Sequence, residues 1–250
     1  MPELSLIIPV MNESPNIGAL SYRINKALAG LDHEVIWVND GSTDDTSEMI
    51  KKYAGPSTRL IELSRNFGQS AALQAGIWQA RGNYIATIDG DGQNDPADLP
   101  PMLELAKKNG FDMVSGIRVD RKDNFIRTFP SRLANELIRL ATNTALKDLG
   151  CSTRILKKQA ALGLPLKKGM HRYINVLLAK QKASILQIPV KHDPRVAGKS
   201  KYGLGRIFPV IRDLVGINAR SQLKGPYTIS HFEISSTWAA ISIPREMEGH

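Results

Sequence analysis

Apolar and polar positions along the first ~115 residues alternate between two rhythms. Short, nearly continuous apolar runs fall at residues 4–10 (LSLIIPV), 34–38 (EVIWV), 59–63, 84–88 (YIATI) and 111–115. Runs of this length, rich in Val and Ile, read as strands buried on both faces. Helical spacing fills the gaps, at residues 14–29, 43–53, 68–80 and 96–108. Asp44 and Asp45 sit in the first turn of the second helix, where acids favour the helix dipole. Pro96 opens the fourth helix and Asn109-Gly110 closes it. This alternation predicts a doubly wound, mostly parallel α/β sheet.

After Gly116 the rhythm changes. Residues 118–128 are basic and loop-like. Residues 131–146 form an amphipathic helix, with Leu133, Leu137, Leu140 and Ala141 on one stripe. Residues 183–190 read as another strand, and 191–203 as a basic loop containing glycine. Residues 204–217 place Leu204, Ile207, Phe208, Ile211, Leu214 and Val215 beside Arg206 and Arg212, interrupted by Pro209. That pattern suits a packed surface helix or one lying on an anionic membrane. Residues 221–250 show no periodicity and stay unassigned.

Composition narrows the classes. The chain has 250 residues, 42% of them apolar, enough for a full core without covalent staples. The single cysteine, Cys151, excludes a disulfide framework and a Cys-rich zinc site, and reads as a small core residue. The five histidines (33, 171, 192, 231 and 250) show no metal-ligand spacing and read as structural or exposed. No apolar run approaches the ~20 residues of a membrane-spanning helix, and Met1-Pro2-Glu3 does not begin a secretory signal. The net charge of +9 is uneven: residues 1–98 carry −6, residues 99–220 carry +16 and residues 221–250 carry −1. An acidic half suits a divalent cation; a basic half suits a polyanion such as a phosphate, an anionic lipid or nucleic acid. A nucleic-acid binder needs aromatics among its basic residues for stacking, yet residues 191–201 contain none.

Ligands of open α/β sheets bind beyond the carboxyl ends of the strands. Four polar clusters fall there: Pro9, Val10, Asn12 and Glu13; Asn39-Asp40-Gly41-Ser42-Thr43-Asp44; Ser64-Arg65-Asn66-Phe67-Gly68-Gln69; and Asp89-Gly90-Asp91-Gly92-Gln93-Asn94-Asp95. In the last, two carboxylates flanking one glycine can converge on Mg²⁺ or Mn²⁺. The alternative is an Asp/Gly turn that merely ends a strand. Neither a GxGxxG nor a P-loop pattern follows a strand. A cation held by two carboxylates and completed by phosphates points to a nucleoside diphosphate. The stretch from Gly68 to Gly76, with Ala71, Ala72 and Ala75, is either a closely packed helix or a small-residue surface under a nucleotide.

In order and spacing these four clusters resemble family 2 glycosyltransferases, most nearly the dolichyl- and polyprenyl-phosphate mannose or glucose synthases. The likeness runs from about residue 4 to about 216. It implies a GT-A fold, with residues 1–116 as the nucleotide half, 117–220 as the acceptor half and 221–250 as a tail. It implies an inverting transfer of a hexose, mannose ahead of glucose, from GDP-mannose or UDP-glucose to a lipid phosphate. Nucleotide-sugar contacts would come from Pro9, Val10, Asn12, Glu13, Asp40, Gly68, Asp89, Gly90 and Asp91. The Mg²⁺ or Mn²⁺ would be held by Asp89, Asp91 and Gln93. The family's acid at position 39 is Asn here, and Gly90 stands where alanine is usual, a change expected to matter little.

Arg118, Arg121, Arg127 and Arg132 lie within fifteen residues, and Arg195, Lys199, Ser200 and Lys201 follow in a Gly-containing loop. Guanidinium forks match phosphate oxygens. The resemblance gives the acceptor phosphate to Arg118, Arg121, Ser131, Arg132, Arg195, Lys199, Ser200 and Lys201, with Asp89, Asp91, Arg118, Arg132 and Arg195 carrying catalysis. Asp148 and Arg154 stand near a family Asp…Arg element, and the role of Asp148 stays open. A lipid monophosphate is largely dianionic at neutral pH, its second pKa being about 6, so it needs no strong protein base. The resemblance also places the chain in the cytoplasm, peripheral to the membrane. A transferase acting on a soluble saccharide or protein is the alternative; a nucleic-acid-binding protein is a distant one.

Overall fold

The structure, a computed structural model, describes residues 1–118, 146–167, 169–193 and, for the backbone alone, 234–239. The predicted alternation is present. Strands β1 (Leu4–Val10), β2 (His33–Asn39), β3 (Thr58–Leu63), β4 (Tyr84–Thr87) and β5 (Met113–Arg118) are separated by helices α1 (Ser14–Ala27), α2 (Thr46–Tyr53), α3 (Gln69–Gln79) and α4 (Leu99–Asn109). A 3₁₀ turn at Pro96–Asp98 starts α4, because the Asp95 side chain accepts from Ala97 N. Then come β6 (Arg154–Lys157), α5 (Lys158–Leu162), a 3₁₀ turn (Met170–Tyr173), α6 (Ile174–Lys180), β7 (Ile185–Val190) and β8 (Ile234–Ala239).

The eight strands form one sheet in the order β7-β5-β6-β4-β1-β2-β3-β8. Six run parallel; β6 and β8 are antiparallel to their neighbours. The insertion of β6 between β4 and β5 is absent from the sequence reading. So is β8, which places residues 234–239 beside β3. Because β6 runs backwards, its first residue, Arg154, enters at the edge where β1–β5 end.

Two apolar layers cover the sheet faces. One contains Ile7, Ile36, Val38, Ile61 and the α3 residues Ala72, Leu73 and Ala75; the other contains Leu6, Ile8, Trp37 and Leu103. Residues 70–77 of α3 are all buried. A side chain at Gly76 would collide with Ile7. The small residues of this helix therefore serve close packing against the sheet, and the nucleotide-surface reading of that stretch is set aside.

Candidate active site at the carboxyl edge

The loops after β1 and β2 are fastened to each other. Asn12, at φ 54°, donates its backbone N–H to Ser42 Oγ (2.9 Å) and accepts from Thr43 N through Oδ1 (2.8 Å). Glu13 N donates to Thr46 Oγ1 (3.0 Å), and the Glu13 carboxylate accepts from Asn16 (2.7 Å). Val10 is buried, and its carbonyl accepts from Asp40 N (2.9 Å). Pro9 lies inside β1, opposite Val38. Val10 thus supports the site from beneath; its side chain is committed to the core.

Asp40 is buried, and its two oxygens accept from Phe67 N (2.8 Å) and Gly68 N (2.9 Å). Burial raises its pKa, and those two N–H groups pull it back. It fixes the loop that enters α3, an anchoring job the sequence did not show. Gly41 (φ 69°) has no room for a side chain against the Arg65–Asn66 backbone, so the two loops pack backbone to backbone. The asparagine at 39 has a reason. It accepts from Ser42 N (2.9 Å) and donates to Ser47 Oγ (2.6 Å), whose proton goes to Glu62 (2.6 Å). An aspartate there would compete with Glu62 for one hydroxyl proton.

The Asp89-Gly90-Asp91 turn leaves β4 beside the end of β1. A side chain at Gly90 would collide with Val10 Cγ1. The glycine therefore matters, contrary to the expectation that alanine would serve equally. Asn94, buried, accepts from Asp89 N (2.9 Å) and Ser152 Oγ (3.0 Å) and donates to Thr153 Oγ1 (2.9 Å). Gln69 Nε2 donates to Asp89 Oδ1 (2.7 Å). Burial first, and then the charge of Asp91, raise the Asp89 pKa. A buried carboxylate raised by burial and by a neighbouring acid is what a divalent cation would relieve, so the pair fits Mg²⁺ or Mn²⁺. Among the described residues, no third His, Cys, Asp or Glu completes a protein-only metal cage.

Gln93 N donates to Asp91 Oδ1 (3.2 Å), while its side chain turns to residue 193. Its Nε2 donates to Asp193 O (3.2 Å), and its carbonyl accepts from Asp193 N (2.8 Å). Arg23 of α1, unremarked in the sequence, donates to Gly92 O (2.9 Å) and pairs with Asp193 (3.0 Å) and Asp95 (3.4 Å). The metal-type loop is thereby tied to the segment from which residues 194–201 depart.

Arg118, expected on the acceptor phosphate, is instead held by Asp148. Its Nε and Nη2 reach Asp148 Oδ2 and Oδ1 at 2.8 and 2.9 Å. Burial opposes ionisation of Asp148, but the Arg118 fork outweighs it and holds that carboxyl below its usual value. The open question about Asp148 is answered: it positions Arg118. Arg154 is 2% exposed and donates to Asn175 Oδ1 (2.9 Å) and weakly to His171 O (3.5 Å). Ser70 Oγ contacts His171 Nδ1 (2.9 Å) and accepts from His171 N (3.2 Å). The Oγ···Nδ1 contact orients the ring whichever of the two atoms carries the shared proton. Burial, helped by Arg172 and Arg154, lowers the His171 pKa to about 3 and keeps the ring neutral.

A small cavity of ≈ 50 Å³ opens between Asp89, Ser152, Arg154, His171 and Arg172, with Leu73 and Thr87 in its wall. His171, read from sequence as structural or exposed, lines it. Cys151 is fully buried, as expected. Gly68 (φ 94°) has open space where a side chain would point. Arg121, Arg127, Ser131, Arg132, Arg195, Lys199, Ser200 and Lys201, and the helices read at 131–146 and 204–217, lie wholly or almost wholly outside the described residues. Among the described residues no helix is long and apolar enough to cross a membrane.

A parallel sheet with an acidic pair after β4 and an antiparallel β6 inserted beside it defines a GT-A glycosyltransferase architecture. The family model "Glycosyl transferase family 2" matches residues 5–162, and the chain belongs to that family. It is 44% identical over 223 residues to dodecaprenyl-phosphate galacturonate synthase of Rhizobium johnstonii, covering 86% of this chain and 66% of that protein. It is 35% identical over 217 residues to undecaprenyl-phosphate 4-deoxy-4-formamido-L-arabinose transferase of Edwardsiella ictaluri, covering 85% and 66%. The chain thus spans just under two thirds of the length of these relatives. In fold it is similar to glucosyl-3-phosphoglycerate synthase of Mycobacterium tuberculosis, solved with Mn²⁺ and UDP-glucose. That match has a TM-score of 0.66 and 17% identity, over 97% of this chain and 88% of the other.

Proposed function

We propose that this chain transfers a sugar from a nucleoside diphosphate to a polyprenyl phosphate, with a divalent cation at Asp89 and Asp91. The observation that carries the reading is the Asp89–Asp91 pair, with Asp89 raised by burial and by its neighbour, at the carboxyl edge of a glycosyl transferase family 2 sheet. The lipid-phosphate acceptor is supported by the names of the two relatives, both polyprenyl-phosphate sugar transferases. Neither of those names mentions mannose or glucose, so the sequence-based preference for mannose gains no support from them. A uridine base is favoured over guanosine, because the fold neighbour was solved with UDP-glucose.

Asp89 and Asp91 would hold the cation, which stabilises the charge gathering on the leaving diphosphate. The Asn12–Ser42–Asp40–Gly68 loop system forms a rigid rim on which the nucleoside can rest. Asn94 and Gln69 hold Asp89, and Arg23 holds the Gly92 backbone, so the acidic pair keeps its geometry as substrates exchange. The acceptor phosphate attacks as a dianion and displaces the diphosphate with inversion, without a protein base. Arg118, fixed by Asp148, contributes a positive charge beside the acceptor's approach. Direct phosphate contacts fall to Arg121, Ser131 and Arg132, and loop closure to Arg195, Lys199, Ser200 and Lys201. Peripheral attachment to the cytoplasmic face of an anionic membrane brings the lipid within reach.

The test is radiolabelled sugar transfer from UDP-sugars to polyprenyl phosphate in mixed micelles, with Mn²⁺ and with EDTA. Metal-dependent label in the lipid phase supports the reading. Label carried only by a soluble saccharide or protein acceptor contradicts the lipid assignment.

A further inference from the structure

Resting on the metal and donor reading above, we propose that Arg23 of α1 is a positioning residue that sets the affinity of Asp89 and Asp91 for the divalent cation. Its guanidinium spans two segments that lie 69 and 170 positions away in the chain. Nη1 donates to Gly92 O (2.9 Å), and Nη2 pairs with Asp193 (3.0 Å) and Asp95 (3.4 Å). Gly92 directly follows Asp91. It takes φ 75° with open space where a side chain would point, so packing does not hold the turn on that side. Hydrogen bonds hold it instead. Gln93 N donates to Asp91 Oδ1 (3.2 Å), and Arg23 takes the Gly92 carbonyl.

The far end of this clasp is itself anchored. Asp193 N donates to Gln93 O (2.8 Å), and Asp193 O accepts from Gln93 Nε2 (3.2 Å). Asn94 and His192 form an antiparallel bridge beside them, and Lys191 N donates to Asp98 Oδ2 (2.9 Å). Residues 191–193 thus continue from β7 along the acidic loop, and Arg23 ties both segments to α1. The aim of Asp91 is fixed from three elements at once: the end of β4, the exit of β7 and a side chain of α1.

A plain surface ion pair does not account for this arrangement. The Arg23 and Asp193 side chains are 30% and 48% exposed, and a pair that open to water contributes little to stability. A positive charge beside a cation site also repels the cation. What Arg23 can give the site is therefore geometry, not charge. Mg²⁺ demands near-ideal octahedral coordination, so a loop free to shift its carboxylate loses affinity. Partners that orient metal ligands from outside typically control about 10–100-fold of metal affinity. The guanidinium fork suits the task, because it can hold a backbone carbonyl and a carboxylate at fixed separation.

The experiment titrates UDP with Mn²⁺ by calorimetry into wild type, Arg23→Gln, Arg23→Lys and Asp193→Asn, with thermal unfolding in EDTA beside it. Arg23→Gln should weaken Mn²⁺-dependent UDP binding about tenfold or more. Its midpoint in EDTA should stay within about 4 °C of wild type, the scale of one exposed ion pair. Arg23→Lys keeps the charge but cannot fork between two partners, so it should resemble Arg23→Gln. Asp193→Asn should act in the same direction and add little in the Arg23→Gln background; it decides the matter alone if Arg23→Gln does not fold. In sugar transfer, the Mn²⁺ concentration for half-maximal rate should rise in step, with kcat at saturating Mn²⁺ within about threefold of wild type. Mn²⁺-dependent binding equal to wild type, or tighter because a repelling charge has gone, overturns the inference and leaves the metal reading intact. So does full recovery in Arg23→Lys. Folded wild type that binds UDP with no dependence on Mn²⁺ removes the metal reading itself.

Discussion

Glu34 and Asp89 are carboxylates set at opposite edges of the same parallel sheet, and their surroundings differ in kind. At the amino edge, Glu34 accepts from Ser5 Oγ (2.7 Å) and Arg81 N (2.6 Å) through Oε1, and pairs with Arg59 at 3.2 Å through Oε2. Ser5 Oγ in turn accepts from Gly82 N (2.8 Å), so each of these polar groups has a local partner. At the carboxyl edge, Asp89 faces Asp91, and its pKa is raised by burial and by that neighbour. Arg154, buried close by, hydrogen-bonds neutral oxygens and feels the Asp89 and Asp148 charges. One edge closes its electrostatics within the fold. The other leaves them open, which is what a site completed by metal and phosphate requires.

Substitutions at the two edges should therefore separate activity from stability. The largest expected effect is on activity: Asp91→Ala should lower sugar transfer about a thousandfold, by loss of metal stabilisation of the leaving group. Its thermal midpoint without metal should stay close to wild type. Calorimetry with UDP and Mn²⁺ checks the binding half, and unchanged metal-dependent binding would remove Asp91 from the site. Glu34→Ala should do the reverse. It strands Ser5, the Arg81 N–H and a nearly buried Arg59, at a cost of about 3–5 kcal/mol in urea unfolding. Metal-dependent UDP affinity of the folded fraction should be kept.

Asp148→Asn tests a place where the edges share features, since the Arg118 pair is closed yet lies near the site. Losing the fork should cost about 2–3 kcal/mol and raise the acceptor KM more than the donor KM. An effect on stability alone would make the pair purely structural. At pH 7 the smallest effect belongs to His171, whose contribution shows itself only as a pH dependence. An unfolded His171 takes up a proton below its ordinary 6.5, whereas the folded one stays neutral until about 3. Its contribution is whole above pH 6.5 and is lost as pH falls from 6.5 toward 3, at up to about 1.4 kcal/mol per pH unit. His171→Gln should flatten the stability profile over that window, and an unchanged slope would deny the buried neutral ring.

The first 118 residues were legible because each element is long enough to show its period. β1 coincides with its apolar run, and β2–β4 differ from theirs by one residue at either end. β6 was not legible. Four residues, RILK, cannot display a period, and only pairing with β4 and β5 makes them a strand. The acidic turn could be read because its chemistry is local. The cavity could not, since Ser70 and His171 meet across 101 positions. Asp40 reads from the sequence as a nucleotide contact, but its hold on Phe67 and Gly68, 27 and 28 residues away, is a tertiary fact. The Asp148 partner of Arg118, 30 positions away, was not legible, because a guanidinium's partner is set by what the fold places opposite it.

The most direct test of the comparison is Asp89→Asn, followed by thermal unfolding in EDTA and calorimetric titration of UDP with Mn²⁺. Removing a buried charge that opposes its neighbour should leave the midpoint equal to wild type or higher, while Mn²⁺-dependent UDP binding disappears. A lower midpoint with binding retained would show that Asp89, like Glu34, is a structural carboxylate, and would contradict the assignment of this edge as the metal and donor site.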